Sequence, residues 1–155
     1  MLVTELLSAD RIQVRSPHDP KLNKRAALSL VAELLDKGTG VGTQVILDAL
    51  LERESLQSTG IGEGVAIPHE KLETVQAQCA AFVIVPEGLA FDAIDGENVN
   101  LIFGVVGPRK ALVEHLKVLA RISKLLRNRP LRERLLAAPS GASAYELLVA
   151  EESRA

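Results

Sequence analysis

The chain has 155 residues, 47% of them hydrophobic and 25% charged, enough for one domain that buries roughly two-thirds of its unfolded surface. Its formal net charge of −2 supplies no global attraction for nucleic acid or anionic lipid, and the 3% aromatic content is too low for a base-stacking surface. The stretch from Lys110 to Arg134 is locally basic, the core must be aliphatic, and the only cysteine, Cys79, rules out a disulfide framework and reads as a buried thiol in a reducing compartment.

The amino terminus, "MLVTELLSADRIQV", has neither the basic start nor the apolar centre of a secretory signal. No apolar run approaches the ~20 residues that cross a bilayer, so the expected location is cytoplasmic, without membrane insertion. "RIQV" at 11–14 predicts a strand, and "SPHDP" at 16–20 is turn chemistry. From Lys21 to Lys37, apolar residues recur at helical spacing and Gly38 is the expected stop. A second helix is predicted from Thr43 to about Glu54, with Thr43 as its cap and Arg53 in its last turn. Branched-rich runs at 65–67, 80–85 and 98–106 predict strands of one sheet. Helices follow over Lys110–Arg127, Pro130–Ala138 and Ser143–Glu152, the second with proline in its first turn. Helices on both sides of strands with unequal connections imply a layered α/β or α+β domain on a mixed sheet, spanning 1–155.

The segment "STGIGEGVAIPHEK" at 58–71 invites several chemistries. A dinucleotide loop needs G-x-G-x-x-G between a strand and a helix, whereas this segment runs from helix to strand; the P-loop pattern is absent. "HEKLE" carries glutamate where a zinc protease needs its second histidine, so no metal is expected. Ser58 and His69 lack a hydrolase's nucleophile elbow and orienting acid.

A histidine acting through its own nitrogen remains, since near an ordinary pKa of 6.5 neutral imidazole attacks phosphorus without a separate base. Gly60, Gly62 and Gly64 permit backbone N–H groups to turn toward an anion, and Ser58 and Thr59 add hydroxyl donors. Pro68 places His69 at the end of an extended segment. Read alone, a glycine-rich turn with an incidental histidine explains the segment equally well. Arg53, across the loop, has the planar fork suited to phosphoryl oxygens, although by itself it reads as a solvated helix-terminal cation. His115 occupies the centre of the apolar face of its helix, with Leu112, Val118, Leu119, Ile122 and Leu126 within about 60°; it is either a satisfied core residue or a phosphoryl-stabilising donor. His18 receives no role.

With Arg53, "TGIGEGVAIPH" and "EHLKVLARIS" together, the chain resembles enzyme IIA of the fructose, mannitol and nitrogen-regulatory branch of the bacterial phosphoenolpyruvate phosphotransferase system. "LLSADRIQV", "LAFDAIDGENVNLIF" and "PRKALVEHL" extend the resemblance over nearly the whole chain. It implies a three-layer α/β/α sandwich on a mixed sheet, no cofactor, and a phosphoryl group accepted by His69 from a histidine-phosphorylated, HPr-like carrier, with Arg53 and His115 assisting. "STGIG" resembles the nitrogen-regulatory members, which implies regulatory partners such as a potassium transporter or a sensor kinase. The other outcomes are sugar uptake, with phosphate passed to a IIB domain, and a binding module without phosphotransfer. Glu70, Gln57 and Asn98 depart from the usual family residues, Glu70 by placing a carboxylate beside the acceptor.

Overall fold

The computed structural model describes residues 1–154. Two short 3-10 turns, Val3–Leu6 and Ala9–Arg11, lead into β1 (Ile12–Val14), followed by α1 (Lys24–Thr39) and α2 (Thr43–Leu56). Next come β2 (Gly60–Gly62), β3 (Val65–Ala66), β4 (His69–Leu72), β5 (Cys79–Leu89) and β6 (Val99–Pro108), then α3 (Leu112–Leu126), α4 (Arg129–Leu136) and α5 (Gly141–Ser153).

The strands form one sheet in the order β1-β5-β6-β3-β2. β4 also pairs with β6, farther along the edge that β3 occupies. β1 runs parallel to β5, and β3 and β4 parallel to β6, while β5–β6 and β2–β3 are antiparallel. The sheet is mixed because the β5–β6 pair is closed by a short connection, whereas β1 reaches β5 only after two helices and a hairpin.

Alternation along β5 and β6 divides the core. Ala81, Val83, Ile102 and Val106 face α1 and α2, and Phe82, Ile84, Leu101 and Phe103 face the carboxy-terminal helices. Phe82 and Phe103 are register partners whose rings lie 4.9 Å apart. Each is fully buried, contributing about 2 kcal/mol through removal from water. Helices on both faces make the three-layer α/β/α sandwich expected from the sequence.

The expected helix boundaries move for identifiable reasons. α1 begins three residues later than Lys21 because the Asn23 side chain accepts from Ala26 N and caps it. It continues through Gly38, packed where a side chain would strike Cys79 Sγ, and stops at Gly40 in the left-handed conformation, φ 71°. Thr43 is not the cap of α2. Gly42 occupies that position, and Asp36 from the end of α1 accepts from Gly42 N at 2.8 Å and from Thr43 Oγ1 at 3.1 Å. Cys79 is a buried free thiol, which burial pushes above its ordinary pKa.

Candidate functional site

The site is assembled at the carboxy-terminal end of α2. Glu54, 7% exposed, anchors the following turn: its carboxylate accepts from Thr59 N at 3.0 and 3.1 Å and from Thr59 Oγ1 at 2.6 Å. Lys24 Nζ pairs with it at 2.8 Å. Burial alone would raise the Glu54 pKa, but Lys24 and the bonds from Thr59 outweigh it and hold the carboxyl below its ordinary range. This strap fixes the path from Arg53 into the glycine segment.

Ser58 Oγ donates to Phe91 O at 2.9 Å and accepts from Gly60 N at 3.1 Å. The hydroxyls of Ser58 and Thr59, and the N–H groups of Thr59 and Gly60, are therefore engaged within the protein, where the sequence suggested donors aimed outward. Gly60 and Gly62 belong to a strand rather than a loop. Glu63 and Gly64, with φ of 57° and 81°, form the two-residue turn into β3. Gly64 O then accepts from Asn100 N at 2.9 Å and Leu101 N at 3.0 Å, tying the hairpin to β6.

His69 is the first residue of β4, a strand that the polar sequence "HEKL" does not announce. Val105 N donates to Pro68 O at 3.0 Å, so the chain rejoins β6 immediately after the proline. His69 Nδ1–H donates to Ile67 O at 2.6 Å. A carbonyl can only accept, so the proton resides on Nδ1 and Nε2 carries the free lone pair. Burial holds the His69 pKa below its ordinary value; the Ile67 bond opposes this, Arg53 adds to the lowering, and Glu70 and Glu54 oppose it.

Arg53 and His69 line one open pocket of about 460 Å³ with Ser58, Gly60, Ile94 and Leu119. Among the described residues the Arg53 guanidinium makes one hydrogen bond, Nη1 to Gln57 O at 2.8 Å. His115 enters from the first turn of α3, with its ring centroid 5.8 Å from that of His69 and the planes inclined by 51°. It is 2% exposed, and its pKa is lowered to about 4 by burial, then by the charges of His69 and Lys71. Both rings are consequently neutral at pH 7. Its predicted face is only partly buried: Val118, Ile122 and Leu126 are enclosed, but Leu112 is 48% exposed.

Sequence reasoning missed Glu54 as the anchor and Gln78, whose Oε1 accepts from His115 Nδ1 at 3.0 Å across 37 positions of chain. The adjacency of Glu54 to Arg53 was the available hint for the first; Gln78, in "QAQCAAF", offered none.

A three-layer α/β domain with this histidine pair at the edge of a mixed sheet has the architecture of IIA proteins. The chain belongs to the family described as phosphoenolpyruvate-dependent sugar phosphotransferase system, EIIA 2, which it matches over residues 5–151. It is 40% identical over 128 residues to a nitrogen regulatory protein of Klebsiella oxytoca, covering 81% of this chain and 78% of that one. It is 34% identical over 149 residues to a fructose-specific EIIA component of Haloferax volcanii, covering 96% and 97%. The crystal structure of nitrogen regulatory protein IIA-Ntr from Neisseria meningitidis superimposes with a TM-score of 0.85 at 31% identity, covering 94% of this chain and 98% of that one. Among the described residues, no helix is long and apolar enough to cross a membrane.

Proposed function

We propose that this protein is a phosphohistidine carrier that accepts a phosphoryl group on His69 Nε2 from an HPr-like protein. The observation that carries the reading is the bond from His69 Nδ1–H to Ile67 O, which leaves a neutral Nε2 beside Arg53 and His115. In the transfer, the Nε2 lone pair forms the new N–P bond as the carrier's N–P bond breaks, and the breaking bond's electrons return to the carrier's imidazole. The Nδ1 proton stays with His69, where Ile67 O offsets the positive charge that develops on the ring. Arg53, held by one bond, swings its free N–H groups onto the phosphoryl oxygens. Ser58, Thr59 and Gly60 shape the phosphate-binding wall by fixing the backbone behind it, whereas Gly62 and Gly64, expected to join them, lie outside the pocket beside Asp95 and Asn100.

Similarity to the nitrogen regulatory proteins favours a regulatory output in the cytoplasm, in which the added charge changes affinity for targets such as a potassium transporter or a sensor kinase. The almost full-length similarity to a fructose-specific component supports a second reading, transfer from His69 to a IIB domain during sugar uptake. The test is incubation with phosphoenolpyruvate, enzyme I and the cognate HPr-like carrier. An acid-labile label is expected in the wild type and absent from His69→Ala. Equal labelling of the two proteins, or none in either with an active carrier, refutes the assignment. Delivery of the label to a IIB domain, against capture of a transporter or kinase, separates sugar uptake from regulation.

A further inference from the structure

His115 and Gln78 form a buried pair with one bond and two unused groups. Because Gln78 Oε1 is the acceptor, the proton of neutral His115 lies on Nδ1. His115 Nε2 is then a bare lone pair, and both it and Gln78 Nε2 are buried without a hydrogen-bond partner among the described residues. The residues are 2% and 7% exposed, so water does not compensate. An unmet buried polar group of this kind is destabilising, which sets the pair apart from the satisfied polar residues around it.

Half a turn of the Gln78 amide about its terminal bond reverses the pattern. Gln78 Nε2–H then donates to His115 Nδ1, and the imidazole proton moves to Nε2. The exchange is proton-neutral, with one proton released to solvent at Nδ1 and one taken up at Nε2. Gly107 leaves the space: a Cβ there would lie 2.5 Å from Gln78 Cδ and crowd both amide atoms.

We propose that Gln78 is a positioning residue that sets the tautomer of His115, holding it as Nδ1–H while His69 is unmodified and as Nε2–H once His69 carries a phosphoryl group. The inference rests on His69 being the phosphoryl acceptor. In the free protein, the Nδ1–H form withholds a donor that would otherwise compete for the His69 Nε2 lone pair. In the phosphorylated protein, the Nε2–H form supplies a donor to the dianion. One amide rotation serves both states without backbone movement.

The test uses full-length, 15N-labelled protein, with His69 phosphorylated by phosphoramidate, a small-molecule donor that requires no carrier. Two-bond 1H–15N spectra of the imidazole rings read the tautomers directly. The expected result is Nδ1–H on His115 before phosphorylation and Nε2–H after it. Gln78→Met, which neither accepts nor donates through an amide, is expected to release the free protein to the Nε2–H form and slow acceptance of the label about tenfold. If that variant does not fold, Gln78→Glu, which accepts but cannot donate, is expected to keep Nδ1 protonated in both states. A His69-phosphorylated wild type with unchanged His115 tautomer overturns this proposal alone, as does an Nδ1–H form that persists in Gln78→Met. Failure of phosphoramidate to label His69 overturns the carrier reading and this inference with it.

Discussion

The buried, neutral His115 gives the protein a measurable sensitivity to acid. Its imidazole titrates near 6.5 in an unfolded chain and at about 4 in the fold, because burial and the neighbouring charges of His69 and Lys71 oppose the cation. A depressed folded pKa means that the unfolded state binds the proton first. The contribution is fully present above about pH 6.5, declines as pH falls toward 4, and levels off below that. Over the whole interval the loss is about 3 kcal/mol, of which about 2 kcal/mol has gone by pH 5. That is a large share of the ~5–15 kcal/mol that stabilises a typical domain. The comparison is with His115→Gln, which removes the titrating ring but retains the carboxylates and His69, so their pH effects largely cancel. Urea unfolding of both proteins at pH 7 and pH 5 should show wild type losing about 2 kcal/mol more than the variant over this range. Equal losses would refute the argument, since His115 would then be readily protonated within the fold.

Gly64→Ala places a Cβ at a φ of 81° and against Asn100 Oδ1, at the turn whose carbonyl ties the β2–β3 hairpin to β6. It should cost about 1–3 kcal/mol in chemical unfolding. Alanine at a turn that tolerated it would leave the midpoint unchanged. Glu54→Gln removes the charge that holds Lys24 at 2.8 Å and weakens the strap over Thr59, leaving Lys24 the exposed Asp92 at 3.3 Å and the face of Phe91, 5.1 Å from its ring centroid. A loss of about 2–4 kcal/mol is expected, with faster amide exchange at Thr59 and Gly60; exchange rates matching wild type would show that the strap does not fix the segment.

The sandwich was legible because its central parts repeat a single signal. β5 and β6 are long apolar runs, and the apolar face of α1 recurs at helical spacing, so local pattern and tertiary burial agree. β4 was not legible. "HEKL" has no apolar alternation, because the strand is held by main-chain pairing to β6 and its side chains remain half-exposed. The start of α2 at Thr43 was legible but its cap was not, because the capping carboxylate comes from Asp36, in the preceding helix, while Thr43 has the usual capping chemistry one residue past the true cap, Gly42. His69, Arg53 and His115 stood out by residue type and motif. Their supports did not: Glu54 and Gln78 act through contacts that exist only after α2 meets the glycine segment and α3 meets the sheet.

Strand alternation also bears on the carboxylate beside His69. His69 is in register with Val105, whose side chain belongs to the layer under α3–α5, and Glu70 with Val106, on the α1–α2 side. Registered neighbours project to the same face, so one peptide step sends His69 and Glu70 to opposite sides of the sheet. Glu70 Oε1 meanwhile accepts from Lys71 N at 2.7 Å, which holds the carboxylate near its own backbone. Its charge still raises the proton affinity of His69, against the lowering by burial and Arg53. Glu70 therefore acts on His69 as a through-space charge from the other face, while Arg53 and His115 approach on the side of His69 itself. The polarity of β4 follows from this division: its alternate positions face opposite sides of the sheet, all of them half-buried, and only the first carries an imidazole.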